Sequence, residues 1–275
     1  MRAPLQVFAG SDDLGDAAAA LVLSRLAVHS QSRPFLLGCP GGRSASSTYQ
    51  HLALRAATER VDLSHLVIVM MDEYVVADRT QKLVPVGVAE AHSCRRFGRE
   101  QIIGQLNAAL RASGAPASRL LPLDNLWLPD PDDPGGYDQR LTDAGGVDLF
   151  LLASGAGDGH VAFNPPGASA DSFSRVVALP ESTRRDNLVT FPSFGADLDR
   201  VPGHGVTVGI ATIREQSREV VMIVHGPDKQ LAARRLIEAE HYEPDWPATV
   251  LADCRSPHLF VDRAAYPSPT LAPAR

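Results

Sequence analysis

The chain is short of the features that would place it in several classes. Its three cysteines, Cys39, Cys94 and Cys254, are far apart and form no CxxC motif. An odd count without pattern reads as reduced, intracellular thiols and not as a disulfide framework. No apolar run approaches the length that crosses a bilayer. The opening Met1-Arg2-Ala3-Pro4 has no apolar core of the kind a signal peptide carries. There is no long basic stretch, and the formal net charge is −6, so a nucleic-acid footprint is not expected. Internal repeats are absent, and the one biased segment is a Pro- and Ala-rich tail from Tyr266, which is expected to fray. What remains is 44% hydrophobic and 21% charged, an ordinary globular composition over 275 residues. The default is a cytoplasmic enzyme or binding protein.

Short apolar runs alternate with helical patterns along the chain. Val7 and Phe8 end a first strand, and Ser11-Asp12-Asp13 reads as a helix start with a capping hydroxyl. Pro34 to Cys39 is a strand, Pro40-Gly41-Gly42-Arg43-Ser44 a loop, and Ser46 to Ala57 a helix. That order can aim backbone amides at an anion, although a plain turn is the alternative. Leu66 to Met70 is a strand that runs straight into Met71-Asp72-Glu73-Tyr74. Arg79 to Val88 reads as loop, and a helix begins near His92 and continues through Leu110. Ala115 to Pro122 reads as a connector with a short strand. Pro129 to Gly136 is the densest breaker cluster, read as a surface loop and not a domain boundary. Tyr137 to Ala144 is helical and leads to the strand Val147–Ala153. Further strands are expected at Val176–Leu179, Gly205–Ile210, Glu219–Val224 and His258–Asp262. Ser182 to Asn187 reads as a polar segment, Ala211 to Ile213 as a short helix, and a longer helix follows Lys229. The alternation predicts a mostly parallel sheet covered on both faces.

In such sheets, ligands sit beyond the carboxyl ends of strands. Asp158 and His160, just past Ala153 on a loop of small residues, are candidates there. So are Asp72 and Glu73 past Met70. A shielded carboxylate suits proton transfer at carbon, and an imidazole suits acid–base work near neutrality. Each has a plainer reading. Adjacent acids can be solvated, His160 can bond a backbone carbonyl, and Lys229 can be a surface lysine. Asp158 would either fix the His160 tautomer or bond the backbone of its own loop. His92, His160, His204 and His225 show no ligand spacing, so no metal is expected.

Three segments taken together resemble the glucosamine-6-phosphate deaminase/isomerase and 6-phosphogluconolactonase superfamily. They are Pro40-Gly41-Gly42-Arg43-Ser44 with Thr48-Tyr49, Met71-Asp72-Glu73-Tyr74, and Asp158-Gly159-His160-Val161-Ala162-Phe163-Asn164. Val206-Thr207-Val208-Gly209 and Gly226-Pro227-Asp228-Lys229 follow in the same order and spacing. The resemblance implies one Rossmann-like three-layer α/β/α domain over residues 1–265, without a cofactor. Met-Asp-Glu-Tyr and His-Val-Ala-Phe-Asn lean to the deaminase side. By resemblance, Asp72 moves a proton between C1 and C2, His160 opens the sugar ring, and Asp158 is its partner. Gly41, Gly42, Arg43, Ser44, Glu73 and Lys229 fall to the substrate and phosphate site, with a second reading for Glu73 as a carboxylate that hydrogen-bonds backbone and holds its loop. Two positions depart from the deaminase pattern: Pro165 stands where a glutamate is usual, and Val189 where an arginine is. Arg43, Arg184 and Arg185 are candidates to supply the missing charge. The expected activity is isomerisation or deamination of a hexose or amino-sugar 6-phosphate. Lactone hydrolysis is the alternative, and a non-catalytic sugar-phosphate sensor the third. Relatives include oligomers, but no segment here identifies an interface.

Overall fold

The computed structural model describes residues 3–267. The chain opens with β1 (Leu5–Phe8), α1 (Ser11–Leu26), β2 (Phe35–Cys39), α2 (Ser46–Thr58) and β3 (Leu66–Met70). Next come β4 (Asp72–Ala77), β5 (Leu83–Pro85) and α3 (Cys94–Phe97). A π-helical stretch, Gly98–Gly104, joins α3 to α4 (Gln105–Ala112). The middle holds β6 (Leu126–Trp127), α5 (Pro134–Asp143), β7 (Val147–Ala153), β8 (Arg175–Ala178) and α6 (Glu181–Thr190). The last part holds β9 (His204–Thr207), α7 (Ile210–Gln216), β10 (Ser217–Val224), α8 (Gln230–Glu238) and β11 (Pro257–Asp262).

Seven strands form one sheet in the order β1-β11-β10-β7-β2-β3-β6, and every pairing in it is parallel. The period-two alternation of strand side chains divides the core between its faces. Phe35, Leu37, Ile68, Leu149 and Leu151 pack with α1, α2 and α4. Leu36, Val67, Val69, Phe150 and Leu152 pack with α5, α7 and α8. Both faces are buried, so the strands read as continuous apolar runs. The three-layer α/β/α expectation is met.

A second sheet was not legible in the sequence. Four antiparallel strands, in the order β5-β4-β9-β8, lie beyond the parallel sheet. The chain leaves β3 at Met71 and enters β4 at once. The junction is held by the Val208 amide donating to the Met71 carbonyl at 2.8 Å. Residues read as loop, Arg79 to Val88, therefore contain β5, because β4 offers it an edge to pair with. The polar segment Ser182–Asn187 is helical, as part of α6. No strand lies in Ala115–Pro122; Ala117–Arg119 is a turn of 3₁₀ helix, and the short strand comes later, as β6. β9 ends at Thr207, and Ile210 starts α7. Ser11 is inside α1 and caps nothing, Gly10 holding the cap position. Residues 268–275 of the expected tail lie outside the described residues.

Candidate active site

β10, β7, β2 and β3 are neighbours, and the loops after all four meet at one edge. From β2 the chain crosses to β3 on one side; from β7 it eventually reaches β10 on the other. The crevice between β2 and β7 is thus a topological switch point, where open α/β sheets take ligands. A cavity of about 650 Å³ lies there, a size that suits a small polar metabolite. Gly41, Gly42, Arg43, Ser44, Asp72, His160 and Lys229 all line it. Four separate segments of the sequence are brought together.

Asp158 stands behind His160, and both alternatives for it occur together. Its Oδ1 accepts from His160 Nδ1 at 2.7 Å and from the His160 amide at 3.2 Å. Its Oδ2 accepts from Ser182 Oγ at 3.0 Å and Thr183 Oγ1 at 3.3 Å, both on α6. Burial pushes the Asp158 carboxyl up, but the bonds and charge from His160 outweigh it and hold the group well below the usual range. An ionised Asp158 assigns the ring proton to Nδ1, which leaves Nε2 to exchange a proton with a ligand. The loop allows this only because of its glycines. A Cβ at Gly155 would come 2.3 Å from both Asp158 Oδ1 and His160 Nδ1. Gly159 has φ +65°, and a Cβ there would meet the Trp246 ring at 2.3 Å.

Asp72 is 6% exposed at the start of β4. Burial pushes its carboxyl up to about 7; the bond from Cys94 and the charge of His160 lower it, and the neighbouring Glu73 raises it. A carboxylate poised near neutrality is matched to taking and returning a proton. Glu73 does not line the cavity. Its Oε1 accepts from the amides of Tyr74 and Cys94 at 2.9 and 2.8 Å. Its Oε2 accepts from the Arg95 amide at 2.8 Å and from Ser93 Oγ at 3.0 Å. Burial raises its pKa against these bonds, which lower it. With both oxygens occupied, Glu73 ties β4 to the first turn of α3.

The cationic side of the cavity is formed by Arg43, exposed on the β2 loop, and Lys229, where the β10 loop enters α8. Lys229 Nζ donates to the Ser154 carbonyl at 2.8 Å, and its pKa is lowered, chiefly by burial. His225 Nε2 lies 2.9 Å from the Ser44 carbonyl and braces the β2 loop. Arg184 and Arg185 do not line the cavity. Arg184 is spent on the Leu198 carbonyl and Arg185 on Glu181.

The sequence reading missed the contribution of α6. Asp186, Asn187 and Thr190 face the cavity, with Phe191 just beyond. Asn187 Nδ2 is buried without a hydrogen-bond partner, a donor available to a ligand oxygen. Oxygens of Asp186 and Asp158 and a ring nitrogen of His160 lie within 4.8 Å of one another. Lys229 shares the cavity with this group, and its charge opposes a bound cation. An aromatic wall seals the same side: Tyr74 packs on Phe163 at 4.8 Å, and His92 on Phe194 at 4.7 Å. Only the polar character of Ser182–Asn187 hinted at any of this. Residue 165 does not line the cavity, so the second carboxylate beside His160 comes from α6.

Known proteins are similar to this chain in sequence and in fold. A glucosamine-6-phosphate deaminase of Beutenbergia cavernae is 34% identical over 251 residues, covering 90% of this chain and 87% of that one. The solved structure of a monomeric glucosamine-6-phosphate deaminase superposes with a TM-score of 0.78 at 24% identity, covering 95% of this chain and 98% of that one. A 6-phosphogluconolactonase from Thermotoga maritima superposes at 0.63 with 16% identity, covering 95% and 99%, and shares the fold. Residues 9–260 match the glucosamine-6-phosphate isomerases/6-phosphogluconolactonase family, and with the sheet-edge cavity described above this makes the chain a member of that family.

Proposed function

We infer that the protein isomerises a hexosamine 6-phosphate, with release of ammonia. The observation that carries this reading is Asp72, a buried carboxylate poised near pH 7 in a cavity it shares with His160. The phosphate is held by the Gly41–Ser44 loop, Arg43 and Lys229, where loop amides, hydroxyl and cations converge. His160 Nε2 takes the proton of the anomeric hydroxyl and returns it to the ring oxygen, which opens the ring. Asp72 takes the C2 proton of the open aldose and delivers it to C1. In the same steps the aldehyde oxygen gains a proton and the C2 nitrogen gives one up, so the enolamine becomes a C2 imine, and water adds to it to release ammonia and a ketose phosphate. Asp158 and Asp186 stabilise the charge that passes through His160. We place the reaction in the cytoplasm; the three buried, unpaired cysteines suit a reducing compartment. No helix among the described residues is long and apolar enough to cross a membrane.

Lactone hydrolysis is the second reading, favoured by Pro165. His160 with Asp158 alone can activate a water, and that chemistry needs no further carboxylate from this loop. One panel separates the two: glucosamine-6-phosphate, galactosamine-6-phosphate, other hexose phosphates and 6-phosphogluconolactone. Ammonia and ketose from an amino sugar are expected. Ketose without ammonia would reduce the activity to simple isomerisation, and acid released from the lactone alone would reject the first reading.

A further inference from the structure

Cys94 lies in the first turn of α3, is buried, and faces the same cavity as Asp72. Its Sγ is 3.3 Å from Asp72 Oδ1. Among the described residues it is the side chain that hydrogen-bonds this carboxylate. The placement is firm, because Glu73 grips the same helical turn through the amides of Cys94 and Arg95 and the hydroxyl of Ser93. Two adjacent acids thus hold one turn, Glu73 by its backbone and Asp72 by a side chain.

We propose that Cys94 is a positioning residue for the base: its S–H donates to Asp72 Oδ1, turns Oδ2 toward the substrate, and sets how readily Asp72 takes a proton. The proposal rests on the reading of Asp72 as the base at C1 and C2. A donor bonded to a carboxylate favours its ionised form in proportion to the strength of the bond. S–H is a weak donor, so it fixes the group while leaving it more basic than a hydroxyl would. The thiol stays protonated, since burial and then the charges of Asp72 and Glu73 push it well above its usual value. The other groups facing Asp72 act differently. Glu73 raises its pKa by charge, and His160, from the β7 loop, lowers it. The phenols of Tyr49, Tyr74 and Tyr137, from α2, β4 and α5, are held neutral by burial.

The test is the pH profile of kcat/KM on the amino-sugar phosphate for wild type, Cys94→Ser and Cys94→Ala. A hydroxyl, the stronger donor, is expected to move the acid limb down, and loss of the donor to move it up. Each shift is about one pH unit, with KM nearly unchanged. Limbs that stay put, or that move the same way in both variants, overturn the proposal, since packing alone gives no opposite signs. Asp72→Asn separates the two levels. If it keeps turnover, the base assignment fails and Cys94 with it. If it abolishes turnover while both Cys94 variants keep the wild-type limb, only the role of Cys94 fails. A readout on the unaltered thiol guards against misfolded variants. An infrared S–H stretching band should shift as the acid limb titrates, and that shift should vanish in Asp72→Asn; a band that does not move across the limb rejects the bond.

Discussion

Asp72 shows how one position can trade stability for chemistry. Its carboxyl is raised from 3.8 to about 7 by burial, so the folded state holds this proton more tightly than the unfolded chain. Between those two values the native state binds more protons, and stability falls as pH rises; above about 7 the full penalty is present. The penalty is on the order of 4 kcal/mol. Asp72→Asn is therefore expected to melt higher than wild type at pH 8, with the difference closing toward pH 4, as read by calorimetry. For the same reason kcat/KM should fall below about pH 7, where the base becomes protonated. Asp158 runs the other way: its depressed pKa contributes stability above the usual carboxylate range that is lost as pH falls through it. Lys229 is part-buried and Arg43 exposed at the cavity, and in the proposed reaction both hold the phosphate. Lys229→Ala is expected to raise KM about 10- to 100-fold, and the exposed Arg43→Ala about 3- to 10-fold with a stronger dependence on salt. Equal KM in Arg43→Ala and wild type would remove Arg43 from the site. That Asp72, His160 and Lys229 would come together at one sheet edge was legible from their motifs. Asp186 and Asn187 were not, because nothing local distinguishes an inward polar residue of α6 from a solvated one.

At the scale of elements, the site depends on joints between segments that the sequence treats as separate. Glu73 reads as a ligand candidate, but it serves β4 and α3, accepting from three amides and a hydroxyl. Glu73→Ala leaves those donors unpaired and is expected to cost about 3 kcal/mol or more in urea denaturation. It should also lower kcat, because Cys94 and Asp72 lose their common support. Wild-type stability in that variant would contradict this joint. α6 is tied to the loop after β7 in a similar way, through Ser182 and Thr183 on Asp158. Six strands of the parallel sheet were readable because each is a short apolar run; β6, only two residues long, was expected earlier, within Ala115–Pro122. β4, β5 and the helical form of residues 181–190 were not, since their partners come from distant parts of the chain. β4 pairs with residues 204–207, more than a hundred positions away.

For the whole molecule, the two core faces share every strand of the parallel sheet but the edge strand β1, and we propose that residues 1–265 unfold as one unit. Calorimetry should give a single transition. Saturating glucosamine-6-phosphate should raise it, by about 2.7 kcal/mol in stability at a hundredfold excess over Kd. Two transitions, with ligand shifting only one, would divide the chain. The sequence by itself determined the α/β class, the loops that meet at the cavity, and the superfamily, because burial periodicity and short motifs are local properties. The loop after Val147–Ala153, with Asp158 and His160 one glycine apart, was fully legible in that sense. Only the tertiary structure decided that Asp158 bonds both the His160 ring and the backbone of its own loop, that Glu73 is occupied by β4 and the α3 turn, that Cys94 bonds Asp72, and that α6 brings a second carboxylate to His160. Those outcomes depend on burial and on distances between remote segments, and chain order carries neither.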